Sequence, residues 1–281
     1  ADVPTTMPLP KQAIPGNQSV VSRASRGCNI ALHMMKELED YSWFPNRLRR
    51  LQTEFIAWMV QAFGIYRRIP NIMHSHLPAH ALKHITDLGS GSGGPLPKLC
   101  KHPLLQDTQF LLTDLYPQPE LSLPESCTYL DTPADARSFA AKPGSTISFF
   151  NTFHHFSLEE QKEILTRNLS RGHCLIVAEI LTPDLGCSLR ILLATTVGQV
   201  LFAPFVKPFS LTRMALTWLL PVNLITVTWD GLISVWKSPG RKQRKSLQEH
   251  AAALGAQASW IQAGNPLLPV QLLVCIPAQK Y

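Results

Sequence analysis

The sequence predicts a doubly wound, mainly parallel α/β sheet of seven strands, with a helical N-terminal cap and an apolar helical insertion. Three observations predict it. Short apolar, β-branched runs alternate with helix-patterned segments from about residue 81 onward, the pattern of crossover connections. A glycine-rich turn, "DLGSGSGGP", directly follows the first of those runs. The last two runs, "ASWIQAG" and "VQLLVCIPA", stand too close for a crossover helix, so they should pair antiparallel.

Residues 1–25 are rich in proline, serine and threonine without periodicity, which predicts a flexible arm. Residues 26–80 carry apolar positions at three- and four-residue steps, a helical cap in which Pro45 marks a break or a new helix start. Residues 81–281 form the main domain. Its strands are expected in "KHITDLG", "TQFLLTDL", "CTYLDTPADAR", "STISFFNTFHHF" and "HCLIVAEIL", then in the closing pair, with "SLEEQKEILTRNL" as a helix after the fourth. The insertion spans about residues 182–239. It holds "ILLATTVGQVLFAPFV" and "MALTWLLPVNLITVTW", bounded by Arg190 and Lys207 and by Arg213 and Asp230. Each stretch contains a proline and falls short of the roughly 18 to 20 apolar residues of a spanning helix. A buried lid, a dimer face or an interfacial membrane hairpin are the expected forms.

The 281 residues are 45% hydrophobic and carry a formal net charge of +7, enough for a large core and suggestive of an acidic partner. Much of that excess lies in "KSPGRKQRK", which reads as a solvated helix start. The six cysteines form no C-x-x-C pair and no metal-ligand spacing. Scattered cysteines suit core packing in a reducing interior, cytoplasmic or within an organelle, peripheral to a membrane if the insertion is interfacial. The chain starts "ADVPTTMPLP" without methionine, so removal of an upstream segment such as a transit peptide and an artificial start are both open.

The glycine turn fits two templates. Gly89, Gly91 and Gly94 spell the dinucleotide pattern G-x-G-x-x-G; Gly89, Gly91 and Gly93 spell G-x-G-x-G. In both, glycines let the backbone approach a nucleotide closely. Asp87 separates them, because a carboxylate there repels a pyrophosphate and suits a cationic ligand. Asp114 ends the second strand, where a carboxylate accepts hydrogen bonds from ribose hydroxyls of any adenosine-type ligand.

On these residues the sequence resembles the class I S-adenosylmethionine-dependent methyltransferases, over about residues 80–180 and 240–281, and small-molecule members of unsettled substrate in particular. The resemblance implies a Rossmann-like fold and S-adenosylmethionine as methyl donor, released as S-adenosylhomocysteine. It identifies "DLGSGSG" with the first motif, so Asp87, Gly89, Ser90, Gly91 and Gly93 would cradle the donor. It makes Asp114, with Leu115 beside it, the ribose site. Asp135 and Ala136 of "ADAR" would flank the adenine, and Asn151 and Thr152 would line the cofactor.

Methyl transfer is an in-line displacement that needs alignment, and a base where the acceptor must lose a proton. His154 and His155, just past the fourth strand, are the expected bases, with His155 preferred by the family pattern. Tyr41 and Trp43 in the cap, and Trp229 and Asp230 in the insertion, are expected to touch the acceptor. Glu39 and Asp40 could bind a cation, but no clustered set of metal ligands is visible. The apolar cap and insertion suggest a small, fairly apolar acceptor. An apolar hairpin beside a basic run also suits a lipid-like or quinone acceptor at a membrane surface. A non-catalytic scaffold would keep the fold without turnover. No nucleic-acid recognition module is visible and N-P-P-Y is absent, which argues against a nucleic-acid partner. Nothing in the sequence fixes the oligomeric state.

Overall fold

The computed structural model describes residues 36–118, 121–264 and 268–278. The expected arm over residues 1–25 and the first ten residues of the expected cap lie outside them.

The cap begins with a short turn, Leu38–Asp40, followed by helix α1, Asn46–Ala62, and helix α2, Ile69–His76. Pro45 stands immediately before α1, where its missing N–H is no loss. The sheet then opens with β1 (His84–Leu88), β2 (Gln109–Thr113), β3 (Cys127–Tyr129) and β4 (Thr146–Phe150). Helix α3, Leu158–Ser170, starts at a capping box in which Ser157 and Glu160 exchange side-chain and backbone bonds. Strand β5 covers Cys174–Glu179. Helix α4, Leu185–Leu193, and helix α5, Val222–Lys237, belong to the insertion. Helix α6, Arg241–Ala253, leads into β6 (Gln257–Gly264) and β7 (Pro269–Ile276).

The order across the sheet is β3-β2-β1-β4-β5-β7-β6. The first five strands run parallel, and β7 pairs antiparallel with both β5 and β6. This is the doubly wound, mainly parallel seven-stranded sheet the sequence predicts.

Period-2 alternation divides the core. On β5, Ile176 and Ala178 join one face with Ile85, Phe110 and Met73, while Leu175 and Val177 join the other with Phe149, Leu165 and Leu247. A strand buried on both faces needs apolar residues at every position, which is why "CLIVA" reads as a continuous run.

The cap is tied to the insertion by an ion pair out of reach of water. Arg213 Nη2 donates to the Glu54 carboxylate on α1, and its Nη1 donates to Val206 O at 3.1 Å and Pro208 O at 2.9 Å. Both side chains are buried. Helix α5 lies against α1, against the Leu38–Asp40 turn and against the turn after β4, so part of the insertion is a lid over the carboxyl ends of the strands.

Three expectations are corrected. The first insertion helix is not too short: helical structure runs over Leu185–Phe205, 21 residues, with only 22% of its apolar window buried. The charge-free stretch begins after Arg190, whereas the helix starts at the Asp184 cap. Cys100 and Cys127 are disulfide-bonded, while Cys174, Cys187 and Cys275 are buried thiols. Lys237, placed by its sequence context in a solvated basic run, is buried and paired with Glu37 and Asp40.

Candidate active site

The glycine turn is held from below. Gly89 N and Ser90 N both donate to Thr113 O at 2.9 Å, fixing the turn to the end of β2. Four glycines, Gly89, Gly91, Gly93 and Gly94, have φ of +77°, +49°, +82° and +46°. A side chain is strained in that region. At Gly89 a Cβ would also lie 2.3 Å from Thr152 Cγ2, so the β1 and β4 loops meet only through glycine. Thr152 Oγ1 seals the contact by donating to Gly89 O at 3.0 Å.

Asp87 is 2% exposed, with Ser90 Oγ and Ser148 Oγ each donating to its carboxylate at 2.7 Å. Burial pushes its carboxyl up to about 7, against the pull of those two hydroxyls. Asp114 accepts from Gly91 N at 2.7 Å and Tyr116 N at 2.8 Å, so it shapes the turn from the neighbouring strand. Burial raises its carboxyl as well, opposed chiefly by those two amides. Beside it, Leu115 is 48% exposed.

Asn151 sits at the end of β4 with φ +56°, and its Oδ1 is buried without a partner among the described residues. Of the adenine-flanking candidates, Ala136 packs beside the core, but the Asp135 carboxylate turns to the surface and pairs with Arg137 at 2.7 Å. Its charge is thus neutralised by its neighbour two residues on.

A second cluster lies past the same strand ends. The turn after β4, Phe153–His155, places two histidine rings in a stack with centroids 4.6 Å apart. His154 is buried, and its Nδ1 bonds Glu179 at the end of β5 at 2.8 Å. His155 Nδ1 bonds Asp40 at 2.9 Å, and its Nε2 lies 3.6 Å from Glu37 and 3.8 Å from Glu39. Lys237 Nζ reaches Glu37 at 2.9 Å and Asp40 at 3.3 Å, and Ser234 Oγ donates to Glu37 at 2.6 Å.

These charges decide protonation. Burial alone would lower the His155 pKa, but the carboxylates of Glu37 and Asp40 outweigh it and raise the group to about 10. These carboxylates favour the protonated ring of His155 in the ion-free chain, which counts against its expected role as the preferred base. Burial and neighbouring carboxylates push Glu39 up to about 8 and Asp230 to about 7, whereas His155 and Lys237 hold Asp40 well below the carboxylate range despite its burial.

Asp230 is not turned toward an acceptor. It accepts from Leu38 N, Glu39 N and Gln52 Nε2, and so pins the acidic turn of the cap to α5. Trp43 is 66% exposed because Phe44 fills the core position beside it; Tyr41 stacks on Trp43 at 5.4 Å. Trp229 is 46% exposed on the outer side of α5. The structure thus gathers His154, His155 and Asp230 and leaves Trp43 and Trp229 on the surface. Glu37, Glu179 and Lys237 were not anticipated; each belongs to a different element, and no local motif joins them.

No family model matches the sequence, and no curated protein matches it. Among solved structures, the chain is similar to human N-acetylserotonin methyltransferase in complex with S-adenosylmethionine, at 12% identity and a TM-score of 0.49, covering 94% of this chain and 68% of that one. It is similar to LepI in complex with S-adenosylmethionine, at 16% identity and a TM-score of 0.44, covering 74% of this chain and 46% of that one. It is also similar to magnesium protoporphyrin IX methyltransferase from Synechocystis PCC 6803 with bound S-adenosylmethionine, at 11% identity and a TM-score of 0.42, covering 78% and 81%. The chain spans less than half the length of LepI.

Proposed function

We propose that the chain is an S-adenosylmethionine-dependent methyltransferase acting on a small, fairly apolar acceptor. The observation that carries this reading is the glycine turn, whose left-handed backbone lies between a buried acid on β1 and a second acid on β2. Asp87, Gly89, Ser90, Gly91 and Gly93 would hold the methionine end, Asp114 the ribose and Leu115 the adenine face. Asn151 and Thr152 would close the cofactor side, with Asn151 Oδ1 gaining the donor it lacks. Ala136 would border the adenine through its backbone and methyl group. The cofactor would supply an electrophilic methyl group, and the chain would supply alignment and an environment from which water is excluded.

The acceptor end is the histidine cluster. His154 Nδ1 bonds the Glu179 carboxylate, and His154 Nε2 is buried and without a partner among the described residues. His154, rather than His155, then faces the acceptor's reacting O–H or N–H. Asp230, Glu37 and Lys237 position the cluster through their contacts with the cap turn. Tyr41 would line the entrance.

The Asp87 carboxyl provides a test by pH. Its folded pKa is raised from 3.8 to about 7, so the ligand-free protein loses stability as pH rises between those values: the unfolded chain ionises there and the folded one does not. A cationic ligand favours the carboxylate. Affinity for S-adenosylmethionine is therefore expected to rise from about pH 6 and level off above about pH 7, and Asp87→Asn should flatten the profile. Calorimetric titration across that range checks it; a pH-independent affinity in the wild type would remove Asp87 from the cation site.

One observation favours a second reading, a lipid-like acceptor met at a membrane surface. Helix Leu185–Phe205 presents Leu185, Leu189, Leu193, Val197, Leu201 and Phe205 to solvent, and the following pair of helices bends by 82°. An amphipathic face of this kind lies in the headgroup region and does not need to span. Flotation with vesicles of neutral and anionic phospholipid should carry the protein upward, and Leu193→Glu with Leu201→Glu should abolish it. Wild-type protein left entirely at the bottom of the gradient would exclude this reading.

A further inference from the structure

Sequence spacing offers no set of metal ligands, yet the fold assembles one. A ring nitrogen of His154, a ring nitrogen of His155 and a carboxylate oxygen of Glu37 lie within 4.8 Å of one another. Each histidine turns its Nδ1 to a carboxylate, Glu179 behind His154 at 2.8 Å and Asp40 behind His155 at 2.9 Å. A carboxylate in that position fixes the ring and frees the Nε2 lone pair for an ion. His155 Nε2 faces Glu37 Oε2 at 3.6 Å. His154 Nε2 is buried and has no partner among the described residues, the unmatched atom that points to a missing ligand.

We infer that Glu37, His154 and His155 form a binding site for a divalent first-row transition ion. Two imidazoles and one carboxylate suit zinc or non-haem iron and leave coordination positions open. Magnesium and calcium prefer all-oxygen sites. The nearest charges favour a cation: the Asp40 carboxylate bonds His155 and the Glu179 carboxylate bonds His154, while Glu39 and Asp230, whose carboxyls burial raises, lie beside them. Against them stand Lys237, on Glu37 Oε1 and Asp40, and the Arg49 guanidinium, which bonds Glu39 O at 3.0 Å. The ion would be held by the Nε2 atoms of His154 and His155 and by a carboxylate oxygen of Glu37. Its use rests on the methyl-transfer reading, under which the open positions would receive the acceptor's oxygen or nitrogen in place of a direct contact with His154. The binding itself does not depend on that reading.

The test uses the full chain without an affinity tag, stripped with a chelator and titrated with Zn²⁺ by calorimetry. One equivalent is expected. Glu37→Gln and His154→Gln should weaken binding at least ~10-fold, and Glu179→Gln, which acts through His154, by about 10–100-fold. Circular dichroism confirms that each variant folds. Co²⁺ titration of the wild type needs no variant: a visible spectrum that saturates at one equivalent and is displaced by Zn²⁺ is expected, and a spectrum no different from that of Co²⁺ in buffer overturns the inference. Absence of Zn²⁺ binding, or equal binding by Glu37→Gln and His154→Gln, also overturns it. A titration of the chelator-treated wild type with S-adenosylmethionine separates the two readings. If that fails while Zn²⁺ binds at this cluster, the metal site stands and the methyl-transfer reading falls; if it succeeds while Zn²⁺ does not bind, the reverse holds.

Discussion

Replacing Arg213 with methionine is expected to destabilise the folded chain by about 3–5 kcal/mol, the cost of stranding a buried charge. The guanidinium is fully buried, donates to Glu54, and satisfies the carbonyls of Val206 and Pro208. Its loss leaves a buried carboxylate and two carbonyls facing an apolar side chain. Arg50 still reaches Glu54 at 3.1 Å from a partly exposed position, so the effect should fall toward the lower end. Replacing both partners, Glu54→Leu with Arg213→Met, should recover much of the loss, because paired buried charges are often matched by apolar substitutes. Urea unfolding of the four proteins in a double-mutant cycle measures this. A single variant within about 0.5 kcal/mol of wild type would mean that the pair does not hold the insertion to the cap.

The second large effect is on cofactor binding. Asp114→Ala should weaken S-adenosylmethionine affinity by about 1.5–3 kcal/mol for each charged hydrogen bond lost to the ribose, roughly 10- to 150-fold per bond. The structure adds a reason beyond direct contact: Asp114 holds Gly91 N and Tyr116 N, so the glycine turn itself loosens when the carboxylate goes. Fold stability should change far less than affinity, since both amides can turn to water at this loop. Unchanged affinity in a folded Asp114→Ala protein would show that the ribose assignment is wrong.

The parts of this molecule that were legible in the sequence are those written locally. Strands β1 to β5 follow from short apolar runs, and the β6–β7 pairing follows from a connection too short for a helix. The glycine turn is legible because left-handed backbone nearly demands glycine, and Asp87 and Asp114 stand at fixed offsets from it. The histidine cluster was half legible. His154 and His155 adjoin a strand end, but Glu37 meets Lys237 across 200 residues of chain, and nothing in "KELED" announces that contact. For the same reason His155 reads as a base in sequence and as a held cation in the fold: its pKa is set by carboxylates from the cap. Cys100 and Cys127 are 27 residues apart with no motif between them, so their bond emerges only when β3 comes alongside β2. Trp43 was misplaced because aromatic neighbours compete for one core position, and Phe44 takes it.

The central claim is that the glycine turn cradles a methyl donor and not a dinucleotide. Calorimetric titration of the wild-type chain with S-adenosylmethionine and, separately, with NADH tests it most directly. Saturable binding of one S-adenosylmethionine per chain and no binding of NADH are expected, because the Asp87 carboxylate repels a pyrophosphate. Binding of NADH with no binding of S-adenosylmethionine would contradict it.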